Sequence, residues 1–266
     1  SAMRAPPLLI CLGISPLAGA ACTVVEAPES LEELVVFGFE HFDDGDEYLE
    51  AMGENMWPLV EEHWEGIQEG YHVDVLDETH LEAAGVTSQD TVSITGVLGA
   101  VEYTNEVVPV VCGVTWPAKD EIYEAYLEYD WTEISDRDCF LGQQCERFEE
   151  YVGQTVKVPI LGEATQEVTR QFRWVEPADG DAFVVSRSIS PSPMEFTSDL
   201  LEVDQQYALV IFVPWPDHAL RVETFWVEAR ALGSEVPEAI TIMQTVNTMA
   251  SQAEAVDEFV DSGEGC

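Results

Sequence analysis

The last long segment of the chain, residues 236–260, is the feature that most restricts the possible fold. Its apolar side chains recur at intervals of three and four residues, which is the spacing of one face of a helix of about six or seven turns. This stripe consists of Ala239, Ile242, Met243, Val246, Met249, Ala250, Ala253, Val256 and Val260. Pro237 suits the first turn of such a helix, where a backbone N–H has no helical partner, and Gly263 is expected to end it. The segment is therefore predicted to be one long helix that buries a single face.

The sequence before this helix is mostly of the strand type. Apolar or alternating runs bounded by turn residues predict strands at 71–75, 91–101, 107–114, 155–161, 167–175, 182–189, 200–213 and 220–231. Residues 48–64 and 118–126 are predicted to be helical, and residues 31–42 fit either a helix or a strand. No internal repeat or long linker interrupts residues 31–262, so we expect a single domain there. The predicted fold class is α+β, with one curved antiparallel sheet wrapped around the C-terminal helix.

The charge of the chain excludes one class of partner. There are 52 acidic and 10 basic residues, which give a formal net charge of −42, although 46% of the residues are hydrophobic and can form a core. Such a surface repels nucleic-acid phosphates and anionic lipid headgroups. We therefore exclude nucleic-acid binding. An acidic coat that keeps the protein soluble is the simplest interpretation, and an acidic face that binds a basic protein partner is the alternative.

The first 22 residues are typical of a secretory signal. Ser1 and Ala2, before Met3, resemble a cloning scar, and they are followed by Arg4 and an apolar run at residues 8–14. A single positive charge before a short apolar core is typical of signal peptides, and the run is too short to span a bilayer. The sequence therefore predicts an exported, periplasmic protein.

Two processing sites remain open within this segment. The small residues of Ala18-Gly19-Ala20 fit ordinary signal peptidase, whereas Cys22 after two alanines resembles a lipobox, in which the cysteine carries a lipid anchor. Residues 23–30 are then a short tether. The second site would make the protein a membrane-tethered lipoprotein.

The remaining cysteines are interpreted separately. Cys139 and Cys145 flank a polar loop, and a disulfide between them is expected in an exported protein. Cys112, in an apolar run, is predicted to be a buried thiol, and Cys266 lies at the end of the chain.

Four stretches, in order, resemble the StAR-related lipid transfer (START) family of the Bet v 1-like helix-grip superfamily. They are 116–131, with Trp116-Pro117-Ala118 and Tyr129-Asp130-Trp131, then Arg170-Gln171-Phe172, the hairpin 179–193, and Gly233 to Pro237. Gln171 replaces the acidic residue of the family's arginine–aspartate pair. The match covers about residues 70–262. The resemblance implies a helix-grip fold with a central cavity that holds one lipid, gated by the C-terminal helix and a loop.

The residues themselves suggest where such a ligand would bind. Residues 207–213 are apolar on both faces of a strand, which is unusual for a sheet with one solvated side, and together with 221–227 they would form a cavity floor. The candidate ligand-binding residues are Trp131, Arg170, Phe172, Ser186, Ile211, Val213, Glu223, Phe225, Ile242, Met243, Val246 and Met249. The alternative is that these side chains fill a solid core.

The orientation of the arginines within the predicted strands is the least determined feature of this set. Strand alternation points Arg170, Arg187 and Arg221 either outward, to pair with surface carboxylates, or inward, to address a ligand headgroup. The sequence favours the outward orientation, because charged side chains are mostly exposed.

Neither a nucleophile motif nor metal-ligand spacing is present in the sequence, so no catalytic residue, metal or cofactor is predicted. The favoured function is therefore that of an exported lipid-binding or lipid-transfer protein that carries a neutral, sterol-like lipid, and the sequence predicts no enzymatic activity. We expect a monomer that makes transient membrane contact. Two alternatives are a cyclase- or hydrolase-like cavity enzyme, with Glu223 or His218 as its acid/base, and a structural protein without a ligand.

Overall fold

A computed structural model of the protein describes residues 25–86, 93–158, 162–178, 180–216, 218–236, 238–263 and 265–266. The predicted signal segment with Cys22, the first residues of the tether and Pro237 lie outside the described residues. The helices are α1 (Leu31–Glu40), α2 (Asp46–Glu62), α3 (Trp64–Glu69), α4 (Glu78–Ala83), α5 (Val107–Val114), α6 (Arg137–Leu141) and α7 (Glu238–Ser262), with a 3₁₀ turn at Lys119–Glu121. In the described part of the chain, no helix is long and apolar enough to cross a membrane.

The strands form one antiparallel sheet. They are β1 (Tyr71–Asp77), β2 (Ser93–Glu102), β3 (Tyr126–Glu133), β4 (Arg147–Val158), β5 (Gly162–Val175), β6 (Phe183–Ser190), β7 (Glu195–Phe196), β8 (Leu201–Trp215), β9 (His218–Ala231) and β10 (Ser234–Glu235). The order across the sheet is β1-β2-β9-β8-β6-β5-β4-β3, with β10 beside β9 and β7 beside β5. The predicted α+β fold class, an antiparallel sheet with a long C-terminal helix, is confirmed.

Helices cover this sheet on both faces. On β8, Leu209 and Ile211 pack in one apolar cluster with residues of α1 to α4, and we call this side the outer face. Val210 and Phe212, which alternate with them, pack in a second cluster with α5, α6 and α7 on the inner face. The two-sided apolar character of residues 207–213 is therefore explained by a second helical layer, because each face of the strand buries its own set of side chains.

Two buried arginines fasten the N-terminal helices to the outer face. Arg187 pairs with Asp43 in the turn between α1 and α2, and Arg173 pairs with Asp46 at the start of α2. Arg173 Nη1 also donates to the backbone oxygen of Phe42 at 2.8 Å. The expectation that strand arginines pair on the exposed surface is wrong for Arg187, which is buried by these helices.

The C-terminal half of α7 is held more firmly than a packed helix alone would be. Val256 lies so close to α5 that a Cβ at Gly113 would come within 2.9 Å of its Cγ1. Asp257 accepts a hydrogen bond of 2.8 Å from the backbone N–H of Thr104. Beyond the helix, Cys266 forms a disulfide with Cys112 of α5. The expectation of a free thiol at Cys112 is therefore wrong, since the chain end returns to cover it.

Cys139 and Cys145 are joined by a second disulfide, which closes the short loop after α6. This is the pairing that the polar loop between them suggests.

The segment 107–131 differs from its sequence-based prediction. The apolar run 107–114 is helix α5, with Val107, Val110 and Val111 buried at helical spacing, because a short apolar run fits a buried helix as well as a strand. Residues 118–126, predicted as a helix, contain only the 3₁₀ turn at Lys119–Glu121 before β3 begins. For residues 31–42, the helical alternative is correct.

Replacing Cys112 and Cys266 together by serine is expected to destabilise the fold more than replacing Cys139 and Cys145. The first bond joins residues 154 apart in sequence and the second joins residues 6 apart. Loop-closure entropy gives losses of about 5 and about 2 kcal/mol respectively. Denaturation by guanidinium of both double variants measures the difference. An equal loss in the two would contradict the structural role assigned to the Cys112–Cys266 bond.

Candidate functional site

A buried ion pair lies near the centre of the inner face. Glu150 of β4 and Arg170 of β5 are direct partners in the sheet register, and Arg170 Nε is 2.9 Å from Glu150 Oε1. The Glu150 side chain is fully buried, whereas that of Arg170 retains 18% of its exposure. Trp131 Nε1 donates to the second carboxylate oxygen at 2.7 Å. The pair is thus fixed by β3 and β4 while its guanidinium remains partly accessible.

Three tyrosines extend this site towards the edge strand β3. The rings of Tyr123 and Tyr126 are 5.4 Å apart between centroids, those of Tyr126 and Tyr129 are 5.6 Å apart, and Arg170 donates to the Tyr129 hydroxyl. Burial raises the pKa of each of these phenols above its ordinary value. They therefore stay protonated at neutral pH and offer neutral hydroxyl groups rather than charges.

A second ion pair connects the inner face to α7. Arg221 and Glu223 lie two residues apart on β9, so both side chains point to the same face, and they form an ion pair. Both guanidinium Nη atoms of Arg221 are 3.2 Å from Gln252 Oε1 of α7, and Nη1 is 3.4 Å from the Tyr103 hydroxyl. This contact lies at the middle of α7, at the start of its firmly held half.

The charges of the two pairs compensate each other inside the inner face. Glu150 Oε1, Arg170 Nε, Arg221 Nε and Glu223 Oε2 are all enclosed by protein atoms. Arg170 Nε is 2.9 Å from Glu150 Oε1, and Glu223 Oε2 contacts the Arg221 guanidinium. Buried charges in proteins are normally paired in this way.

A groove separates the N-terminal half of α7 from the sheet. It has a volume of about 250 Å³ and is lined by Gln68, Ala100, Val101, Glu102, Val246, Met249 and Ala250. Binding sites for small molecules commonly measure about 300–1,000 Å³. The groove is smaller than such sites, and its walls come mostly from β2 and α7.

The inner face collects half of the predicted ligand-binding residues. Trp131, Arg170, Phe172, Ser186, Glu223 and Phe225 lie there by packing and strand register. Val246 and Met249 line the groove. For Arg170 and Arg221, the inward orientation is correct, and the favoured outward orientation is wrong.

Four predicted residues lie elsewhere. Ile211 and Val213 are on the outer face, so they cannot line a space beneath α7. Because β8 is apolar on both faces, its sequence does not indicate which of its alternating side chains point inward. Ile242 packs over Gly70, whose φ of +96° requires the absence of a side chain, and Met243 is 51% exposed. These two corrections follow from α7 leaning on the end of α3 and on β2 at its start.

Sequence reasoning missed Glu150 and the tyrosines. Glu150 is one of many acidic residues, so its type carries no signal. Tyr123 and Tyr126 lie in residues 118–126, for which the sequence predicts a helix, so that prediction does not place them with Tyr129 beside Arg170. Among the described residues, no group of three or more His, Cys, Asp or Glu side chains is placed to hold a metal ion.

No protein-family model matches this chain, and no relative was found among curated proteins. Similar solved structures include a START superfamily protein from Mycobacterium smegmatis, with 13% identity over 63% of this chain and 97% of that one, at a TM-score of 0.39. A STAR-related lipid transfer protein fragment from Xanthomonas axonopodis has 12% identity over 66% of this chain and 97% of that one, at a TM-score of 0.40. Human STARD10 has 12% identity over 70% of this chain and 81% of that one, at a TM-score of 0.37. The likeness concerns the course of the backbone, and the function below is argued from the residues of this chain.

Replacing Glu150 by glutamine is expected to lower the free energy of unfolding by about 3–5 kcal/mol, because it leaves the buried Arg170 charge without a neutralising partner. The matched control is Glu202→Gln, which breaks the exposed pair with Arg230 and should cost less than about 1 kcal/mol. Urea denaturation measures both.

Adding Arg170→Met to Glu150→Gln should recover part of this loss, since the uncompensated charge is then removed. If Glu150→Gln lowers the free energy of unfolding by no more than Glu202→Gln does, the result contradicts the stabilising role of the buried ion pair.

Proposed function

We propose that the protein binds and carries one hydrophobic molecule between the inner face of the sheet and α7. The observation that carries this proposal is the unequal attachment of α7. Its C-terminal half is fixed by Val256, by Asp257 and by the disulfide beyond it. Its N-terminal half borders the open groove and exposes Ile240 and Met243, each by about half. A helix held at one end in this way is suited to act as a gate.

The inner face supports a ligand that is mostly apolar with one polar end. Phe172 and Phe225 supply apolar surface, and the Arg170 side chain, which retains 18% of its exposure, supplies a handle for a hydroxyl or carbonyl oxygen. Burial of several hundred Å² of ligand surface at about 25 cal/mol per Å² gives several kcal/mol before the costs of association. The net charge of −42 disfavours anionic headgroups. We therefore favour a neutral lipid of the sterol type.

Binding requires motion, because the groove of about 250 Å³ is smaller than a usual ligand site. Movement of the first turns of α7 away from β2 would join the groove to the inner face. Four of the exposed large apolar side chains, Leu200, Leu232, Ile240 and Met243, lie around the β8 start, the β9–β10 turn and the start of α7. We propose that this end makes transient contact with a membrane when lipid enters or leaves.

Two disulfides in a small domain support an oxidising compartment. We therefore propose an exported, periplasmic carrier that works as a monomer, with Cys22 as the candidate lipid anchor.

We also propose carriage without turnover. Glu150 and Glu223, the carboxylates of the inner-face site, are each paired with an arginine. A carboxylate engaged in such a contact is not free to take a proton from a ligand, which a general base must do.

Incubating the protein with vesicles of sterol, fatty acid and phosphatidylcholine, followed by repurification and mass spectrometry, should recover a single neutral lipid per chain. Ala250→Trp fills the groove and should reduce capture by about tenfold, equivalent to about 1.4 kcal/mol. Ser251→Trp is the matched control, since the neighbouring position is exposed and is not a groove residue. Recovery of no lipid from any class would refute the proposed function.

Hydrogen exchange should show that the two halves of α7 differ in stability. Amides of residues 241–250 are expected to exchange faster than those of 253–261 in the free protein, because the hydrogen bond of Asp257 and the disulfide of Cys266 hold the second set. A captured lipid should slow exchange in the first set and leave the second unchanged. Uniform exchange along α7 would contradict the gate.

A further inference from the structure

Arg137 brings a buried positive charge to the Cys112–Cys266 disulfide. Its Nη2 donates to Cys112 Sγ at 3.3 Å and to the backbone oxygen of Cys112 at 2.8 Å. Its Nε donates to the backbone and side-chain oxygens of Thr115 at 2.9 and 3.0 Å. The guanidinium also lies over the Trp116 ring, 5.6 Å from its centre. Helix α6 thus holds a cation, with 8% of the residue exposed, against one sulfur of the bond.

This cation has only a weak counter-ion. Among the described residues, Asp138 is the one carboxylate within ion-pair distance of the guanidinium. Its Oδ1 is 3.8 Å from Arg137 Nη1, and its side chain is 96% exposed. Solvent screens so exposed a contact, and the other acceptors around Arg137 are neutral. A thiolate at Cys112 would supply a negative charge where the buried guanidinium lacks one.

The other sulfur of this disulfide belongs to an exposed residue. Cys266 lies beyond α7 and is exposed, whereas Cys112 of α5 is half-buried. The preceding Gly265 packs closely, since a Cβ there would come within 2.6 Å of the Trp116 ring and 2.7 Å of the Phe259 ring. A thiol in solution can therefore reach Cys266 more easily than Cys112, and access decides which sulfur is attacked.

The second disulfide has the opposite surroundings. Cys139 follows Asp138, and Cys145 precedes Glu146. The backbone N–H of Cys139 also donates to the carboxylate of Asp136 at 2.8 Å. Carboxylates close to a sulfur disfavour a thiolate there. The chain thus has one disulfide beside a cation and one among carboxylates.

We propose that the Cys112–Cys266 bond is a thiol–disulfide exchange site that reacts with dithiols. A thiolate of the dithiol attacks Cys266 Sγ, the S–S bond breaks, and its electron pair leaves on Cys112 Sγ as a thiolate beside Arg137. The second thiolate of the dithiol then attacks the sulfur of its own molecule in the mixed disulfide and releases Cys266. The dithiol gives up two electrons and two protons, of which one proton goes to Cys266 and one to solvent.

The position of Arg137 favours this direction of cleavage, because a stabilised thiolate is the better leaving group. The difference in sequence separation between the two disulfides does not oppose it, since the fold already holds each pair of sulfurs together. Opening the bond would remove one attachment of α7 and retain the packing of Val256 and the hydrogen bond of Asp257. That effect on the gate rests on the proposed function, whereas the reactivity of the bond does not.

The second disulfide is a control within the same molecule. The whole oxidised protein is treated with dithiothreitol at about pH 8, where thiolates are available. Samples are quenched with acid at intervals, free thiols are blocked with N-ethylmaleimide after unfolding, and peptides are mapped by mass spectrometry. Cys112 and Cys266 should become free about tenfold faster than Cys139 and Cys145. In guanidinium the two bonds should open at similar rates, because Arg137 no longer lies beside a sulfur.

Reduction of the Cys139–Cys145 bond first, or of both bonds at one rate in the folded protein, would overturn the proposal. Reduced glutathione in place of the dithiol should leave its adduct on Cys266 with Cys112 free. An adduct on Cys112 would contradict the assignment of the leaving sulfur.

Variants of Arg137 test the role of the cation. Arg137→Gln should slow the opening of the Cys112–Cys266 bond by about tenfold and leave the Cys139–Cys145 bond unchanged, whereas Arg137→Lys retains the charge and should keep most of the rate. Unchanged fast opening in Arg137→Gln would show that exposure of Cys266 alone decides, and would overturn the role of the cation. If Arg137→Gln does not fold, the two rates and the glutathione adduct in the unmodified sequence still decide.

Lipid capture is measured separately from these rates. Fast opening of the Cys112–Cys266 bond in a protein that captures no lipid would retain the exchange site and reject the carrier. Slow opening in a protein that captures lipid would do the reverse.

Discussion

The burial of its positive charges is the constraint on which this structure depends. Five of the ten basic residues, Lys119, Arg137, Arg173, Arg187 and Arg221, are almost fully enclosed, and Arg170 is mostly enclosed. Each arginine of this set contacts a carboxylate or a backbone oxygen. Removing a partner from such a group is costly because the remaining charge has no solvent. The arginines therefore fix where the helices attach to the sheet.

The two faces use these cations for different purposes. On the outer face, Arg173 and Arg187 reach the turn before α2 and fasten the N-terminal helices. On the inner face, Arg170 and Arg221 pair with Glu150 and Glu223, and Arg221 also contacts Gln252 of α7. The outer contacts thus attach the N-terminal helices, whereas the inner ones join neighbouring side chains of the sheet and reach the C-terminal helix.

Much of the fold could be predicted from the sequence, because the signals for β5, β6, β8, β9 and α7 are long and agree with local turn residues. Residues 107–131 could not, since a valine run with proline in it and tyrosines at intervals of three fit more than one structure. The candidate site was harder. The predicted Arg170 and Glu223 lie in it, but Ile211 was assigned to the wrong face because both faces of β8 are apolar. Glu150 depends on contacts with Arg170 and Trp131 across the sheet that no local pattern records.

Enclosing the cations has a consequence for the surroundings of the protein. In the described part of the chain, Arg147, Lys157 and Arg230 are the basic side chains left on the exterior. The outer shell is thus close to a polyanion, whose mutual repulsion is screened over a Debye length of about 8 Å at physiological ionic strength and about 30 Å in dilute buffer. Dissolved cations therefore stabilise the folded state by screening this repulsion. We expect removal of salt to lower the free energy of unfolding.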